Sequence, residues 1–308
     1  MGNPICIIGP TAAGKTDLAL KLTKYIDCEI ISIDSAMIYR GMDIGTAKPT
    51  KEEQNLVPHH LIDILDASET YSAANFYRDT HKLIVDIMSR GKTPLLVGGT
   101  MMYFNIIING LSDLPHADSL VRNKIDALVQ ENGLEYLHNE LKKIDIAAAK
   151  RISSNDPQRL KRAIEVYMLT GKSISFLQKA QKEILPFKFF NIALMPSDRT
   201  QLHEKIKIRF MQMLKNGFID EVERFFYRED INASMPSMRA VGYRQIYEYL
   251  AGTTTFNLMH EAAIAATRQL AKRQMTWLRS FANINIFAAE KNNLLDMVLL
   301  LISAKTKQ

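Results

Sequence analysis

The chain has 308 residues, 47% hydrophobic and 23% charged, with a formal net charge of +6. This is globular composition, with length for a large core or two unequal domains and no low-complexity tract. The longest apolar runs fall far short of a membrane span, and Met1-Gly2-Asn3-Pro4 leads straight into a strand-like run without room for a signal peptide, so a cytoplasmic protein with no membrane partner is expected.

The first predicted element is a buried strand, Ile5-Cys6-Ile7-Ile8. It runs into Gly9-Pro10-Thr11-Ala12-Ala13-Gly14-Lys15-Thr16, which satisfies G-x-x-x-x-G-K-[ST]. Asp17-Leu18-Ala19-Leu20-Lys21-Leu22 then has helical periodicity, which puts the glycines at a strand-to-helix turn. There Gly9 and Gly14 let backbone N–H groups approach phosphate oxygens, the helix N-terminus adds partial positive charge, Lys15 bridges phosphates and the Thr16 hydroxyl can ligate Mg²⁺. The octet defines a phosphate cradle and leaves its ligand open. Fold and cradle alone suit a P-loop kinase of small molecules or nucleotides equally well.

A second parallel strand is predicted at Glu29-Ile30-Ile31-Ser32-Ile33, ending in Asp34-Ser35 at the sheet edge where α/β proteins place ligands. Asp34 either holds Mg²⁺ through water or acts as a general base, and a turn or cap aspartate is the plain alternative. Residues 37–49 read as a loop beside the site. His60-Leu61-Ile62-Asp63-Ile64 is a further strand candidate, and Ser72 opens a helix that Gly91 closes. Pro94-Leu95-Leu96-Val97 runs into Gly98-Gly99-Thr100, a second tight strand-to-helix turn, where Thr100 either positions a ligand or caps the next helix.

From Leu114 no strand-like run occurs until Phe189, and Asp118, Asp156-Pro157, Gly133 and Gly171 give helix starts and stops. A strand follows at Phe190-Asn191-Ile192-Ala193-Leu194-Met195, then helices over 199–216, 218–228, 243–250 and 258–281, a strand at Ile284-Asn285-Ile286-Phe287 and a closing helix. The expected fold is α/β, a P-loop NTPase-like (nucleoside/nucleotide kinase-like) parallel sheet flanked by helices. Residues 1–113 and 188–308 form it, with an inserted all-helical domain over 114–187.

Cys6 and Cys28 fall in or beside predicted strands and read as buried apolar residues, and the seven histidines lack zinc-ligand spacing. Arg209, with Lys205 one turn earlier, either stabilises departing phosphate charge or belongs to a solvated basic face. From Arg239 to Arg279 six basic residues face two acids, Glu248 and Glu261. Arg268, Lys272 and Arg279 share one side of the long helix with Arg273 and Trp277 beside them, which fits either RNA-backbone binding or an amphipathic core helix with Trp277 buried. Arg239 and Arg244 bracket Val241-Gly242-Tyr243, and Gln158, Arg159, Lys161 and Arg162 open a helix of the insertion. Three basic clusters in one chain point to RNA.

The strings GPTAAGKT, DSAMIYRGMDIGTAKP, LLVGGTMMYF, NDPQRLKRAIEV, RAVGYRQ and ATRQLAKRQMTWLR, in this order, resemble the tRNA dimethylallyltransferase (tRNA isopentenyltransferase) family over essentially the whole chain. Two departures are Ala13, where serine is common, and Ala240, where cysteine is common. The eukaryotic members' zinc-finger extension has no counterpart, so the resemblance is to the bacterial type. It implies transfer of a dimethylallyl group from dimethylallyl diphosphate to the exocyclic amine of the adenine 3′-adjacent to the anticodon of tRNA, giving N6-isopentenyladenosine and diphosphate.

By the same resemblance residues 9–16 bind the diphosphate, with Mg²⁺ on Thr16 and ATP binding suggested by motif only. Asp34, Thr100 and Arg209 are catalytic. The implied tRNA contacts are Asp34, Ser35, Ala36, Met37, Thr100 and Arg122; Gln158, Arg159, Leu160, Lys161 and Arg162; Arg239, Ala240, Val241, Gly242, Tyr243 and Arg244; and Lys272, Arg273, Gln274, Met275, Thr276, Trp277, Leu278 and Arg279. The insertion is then expected to grip the anticodon stem-loop, and the protein to be a monomer.

Overall fold

The computed structural model describes residues 3–180 and 182–306; Met1 and Gly2 of the expected lead-in, Gln181 and the last two residues lie outside the described residues. The first half runs β1 (Ile5–Ile8), α1 (Lys15–Leu22), β2 (Cys28–Ile33), α2 (Lys51–Leu56), β3 (His59–His60), α3 (Ala73–Ser89), β4 (Thr93–Gly98) and α4 (Met101–Asn109). Four helices follow, α5 (Ser119–Ile144), α6 (Ile146–Arg151), α7 (Pro157–Thr170) and α8 (Ile174–Lys179). The chain then runs β5 (Phe190–Met195), α9 (Arg199–Lys215), α10 (Phe218–Phe226), α11 (Tyr243–Leu250), α12 (Phe256–Ser280), β6 (Asn285–Ala288) and α13 (Leu294–Thr306).

Among the described residues the strands form one parallel sheet in the order β3-β2-β4-β1-β5-β6. All four residues of β1 and all six of β2 are buried, as expected for strands covered on both faces. Ile5, Ile7, Ile30, Leu95, Ile192 and Leu194 share a core with Leu18 and Leu22 of α1 and Val298 of α13. α3 packs on β2 and β4. This order places the C-terminal ends of β1, β2 and β4 side by side, with Ile8 and Ile33 both in register with Gly98. The P-loop, Asp34 and Thr100 leave the sheet from those three ends.

Two sequence expectations change, and one helix enters where the sequence reading made no assignment. The strand candidate over 60–64 is confined to His59–His60, because Leu61 (φ 59°) and Asp63 (φ 56°) are left-handed and turn the chain out of the sheet. Gly133 does not stop its helix: at φ 81° and ψ 173° it interrupts α5, which resumes at once. α2 interrupts the stretch before β3, with a capping box in which Thr50 accepts from the Glu53 N–H and Glu53 accepts from the Thr50 N–H.

The chain divides into two compact units, residues 1–106 with 186–308, and Ile107–Leu185. The second is helical and has its own core of Ile125, Leu137, Leu141, Leu160, Ala163 and Val166. In the first unit, the loop after β2 is held by Glu221 of α10, which is 1% exposed. Its carboxylate accepts N–H bonds from Asp43 (2.9 Å), Ile44 (2.7 Å) and Gly45 (3.0 Å) and the Tyr243 hydroxyl at 2.5 Å. Lys48, its side chain 3% exposed, ties the same loop to the Tyr39 carbonyl, Asp43 and Asp63. Glu221→Ala leaves three backbone donors and a buried hydroxyl without their acceptor. It should destabilise the protein by about 3 kcal/mol or more, read as a lower urea midpoint at unchanged m-value.

Candidate active site

The cradle is built by the turn between β1 and α1. Gly14 adopts φ +80°, a left-handed conformation that a side chain would strain, and a β-carbon on Gly9 would lie 2.7 Å from the Leu194 carbonyl. α1 starts at Lys15 with no side-chain cap, so its first-turn N–H groups point out of the helix toward the loop. Lys15 Nζ donates to the Pro10 carbonyl at 2.8 Å. Burial first, then the neighbouring Arg209 guanidinium, lower the Lys15 pKa to about 8, opposed by Asp34. Arg209, half-buried on α9, is likewise shifted down by burial and pulled back up by Asp34. Lys15, Arg209 and Asp34 therefore lie within electrostatic reach of one another.

Asp34 is half-buried just past β2, and its Oδ1 accepts the N–H groups of Ala36 (2.9 Å) and Met37 (3.3 Å), an Asx-type turn that aims the carboxylate. The Thr100 hydroxyl accepts the Ser35 N–H at 3.1 Å and donates to the Ser35 hydroxyl at 3.3 Å. The N–H groups of Gly99 and Thr100 both reach the Ile33 carbonyl at 3.1 Å. Thr100 and Asp34 are thus joined through Ser35 at the mouth of the sheet.

Arg209 also lines a cavity of about 640 Å³ between the loop after β2 and α9, with Ile44, Lys48, Lys51, Lys205 and Met213 among its walls. The P-loop does not line this cavity; Arg209 is the residue it shares with the charged cluster. No cluster of three or more His, Cys, Asp or Glu suited to a metal occurs among the described residues. Thr16, half-buried in the first turn of α1, offers a single hard oxygen, which suits a magnesium ion carried mainly by phosphate and water.

The basic clusters divide by helix period. On α12, Lys272, Arg273, Thr276, Trp277 and Arg279 are exposed, whereas Gln274, Met275 and Leu278 are buried. Trp277 at 38% exposure is therefore not the core residue of the plain alternative. Leu160, Gly242 and Tyr243 are also buried. Along the segments 158–162, 239–244 and 272–279, Leu160, Tyr243, Gln274, Met275 and Leu278 have buried side chains, while Gln158, Arg159, Arg239, Arg244 and the exposed positions of α12 present theirs at the surface.

In the helical unit the sequence reading missed Glu165. It is 1% exposed and receives Arg122 Nε at 2.8 Å, Arg162 Nη1 at 2.6 Å and the Asp118 N–H at 3.1 Å. Burial works against its charge, but the hydrogen bonds from Arg162 and Arg122 win and hold its carboxyl below the usual range. Arg122 and Arg162 are thus oriented by an internal acid, and an acid one turn beyond Arg162 was the available signal.

The family model described as IPP transferase matches residues 37–281. Crystal structures of the full-length tRNA isopentenylpyrophosphate transferase from Bacillus halodurans and of tRNA delta(2)-isopentenylpyrophosphate transferase from Staphylococcus epidermidis are similar to the chain. The first is 37% identical, with a TM-score of 0.72 and coverage of 100% of this chain and 99% of that one. The second is 33% identical, with a TM-score of 0.68 and coverage of 99% of each. A eukaryotic dimethylallyltransferase, captured acting on tRNA, is 26% identical with a TM-score of 0.83, covering 99% of this chain and 79% of that one.

Proposed function

The chain belongs to the IPP transferase family, and from that premise we propose that it transfers a dimethylallyl group from dimethylallyl diphosphate to the exocyclic amine of the adenine 3′-adjacent to the anticodon in tRNA. The observation that carries this reading is the joining of Asp34 and Thr100 at the sheet edge, within electrostatic reach of Lys15 and Arg209. A base therefore stands beside a cationic cradle. The amine nitrogen attacks the allylic carbon, the bond from that carbon to the diphosphate oxygen breaks with its electrons on oxygen, and the amine proton passes to Asp34. Lys15, Arg209 and the P-loop N–H groups stabilise the charge that accumulates on the leaving diphosphate, and Thr100 positions the reacting groups. Magnesium, held through Thr16 and the diphosphate, would supply further neutralisation of that charge.

An adenine in an anticodon loop must leave its stack to reach Asp34, which calls for a broad RNA-binding surface. The exposed cations of α12, Arg239 and Arg244, and in the helical unit Arg122, Arg159, Lys161 and Arg162, are proposed to supply it. Purified protein, radiolabelled dimethylallyl diphosphate and an anticodon stem-loop with adenine or guanine at the target position test the reading. Label should enter the adenine substrate alone, and a parallel incubation with ATP should transfer no phosphate. Phosphate transfer from ATP without prenylation would overturn the assignment.

A further inference from the structure

We propose that Gln274 is a positioning residue for the transfer step: its amide fixes the diphosphate cradle against the turn that carries Thr100. The proposal rests on the prenyl-transfer reading above. Gln274 is 7% exposed on α12; its Oε1 accepts the Thr11 N–H at 2.9 Å and its Nε2 donates to the Gly99 carbonyl at 2.8 Å. Both loops leave neighbouring strands, and sheet register fixes where they begin, with Ile8 opposite Gly98. The sheet ladder does not reach their tips. A side-chain amide, with one acceptor and one donor in fixed geometry, bridges them there.

The restraint continues past Gly99. Gly99 and Thr100 are bound to the Ile33 carbonyl, Thr100 holds Ser35, and Asp34 is the adjoining residue. A path of hydrogen bonds and short backbone links therefore runs from the cradle that receives the leaving group to Ile33 and Ser35, the two neighbours in sequence of the base that receives the proton. A β-carbon at Gly99 would lie 2.7 Å from Gln274 Nε2, so the amide occupies the space a side chain there would need. Substitution at an allylic carbon requires the amine, the carbon and the departing oxygen to be aligned, and a misplacement of about 1 Å costs about a hundredfold in rate. Gln274 thus differs in role from its exposed neighbours Lys272 and Arg273.

The experiment measures kcat, KM and tRNA Kd for Gln274→Ala and for Gln274→Met, which keeps the volume and removes both hydrogen bonds. In each, kcat should fall by about tenfold to a hundredfold with tRNA Kd unchanged. Gly99→Ala, whose methyl displaces the amide, should lower kcat in the parent enzyme and add little to Gln274→Ala, a coupling expected only if both act through one contact. Should Gln274→Ala not fold, the volume-conserving Met variant carries the test. A parent enzyme without prenyl transfer overturns the functional reading itself. An active parent whose Gln274 variants keep kcat, or lose only tRNA affinity, overturns the positioning role.

Discussion

Asp34→Asn is expected to lower prenyl transfer by about 10²- to 10⁴-fold while tRNA binding is largely retained. Asparagine keeps a carbonyl oxygen where Asp34 Oδ1 accepts the Ala36 and Met37 N–H groups, so the turn after β2 survives. It cannot take a proton from the amine. Asp34→Ala removes both functions and should lose comparable activity with some added stability cost, about 1 kcal/mol by analogy with lost caps. The pair of variants separates proton transfer from loop geometry. Single-turnover transfer with saturating stem-loop measures it, beside a filter-binding Kd. If Asp34 instead held magnesium through water, the loss in Asp34→Asn would shrink as magnesium is raised, whereas a missing base is not replaced by metal. Wild-type turnover in Asp34→Asn would remove Asp34 from the chemistry.

The sheet and its three functional edges were legible because their strands are short apolar runs buried on both faces and ended by glycine or aspartate: Ile5–Ile8 into Gly9, Cys28–Ile33 into Asp34, and Thr93–Gly98 into Thr100. Such runs need no partner information to be read. β3 was overextended because Leu61 and Asp63 adopt left-handed backbone, which neither residue type announces. The resemblance supplied residues 272–279 as one contiguous block, but an α-helix turns every 3.6 residues, and the burial of Ala271, Gln274, Met275 and Leu278 follows that period. Gln274 enters the sequence reading only as a member of that block. Only the tertiary neighbours Thr11 and Gly99, distant in sequence, give its amide both partners. Glu221 is hidden for the same reason, its partners being backbone N–H groups brought close by the fold, whereas Glu165 has one local partner, Arg162, and two distant ones, Arg122 and the Asp118 N–H.

Prenyl transfer is expected to depend on pH through Lys15, and the sign follows from the direction of its shift. Burial and Arg209 bring Lys15 down to about 8, so the unliganded enzyme loses this cation as pH rises through that value. If the ammonium is needed to bind and stabilise the diphosphate, kcat/KM for the donor is flat below about pH 8 and falls about tenfold per pH unit above it. A bound diphosphate is an anion that favours the ammonium form, so the fall in kcat itself is displaced to higher pH than the fall in kcat/KM. Lys15→Gln keeps an N–H donor, one bond shorter, without the charge. It should cost about 10²- to 10³-fold in kcat, in line with removal of a preorganised group from a developing anion, and it should abolish the alkaline limb of kcat/KM. Arg209 is not the source of that limb, because an arginine guanidinium is not deprotonated in proteins. Initial rates between pH 6 and about 10 in parent and Lys15→Gln enzymes decide the matter. A limb that persists in Lys15→Gln belongs to another group, and a parent profile without one means that Lys15 carries its charge through the whole range.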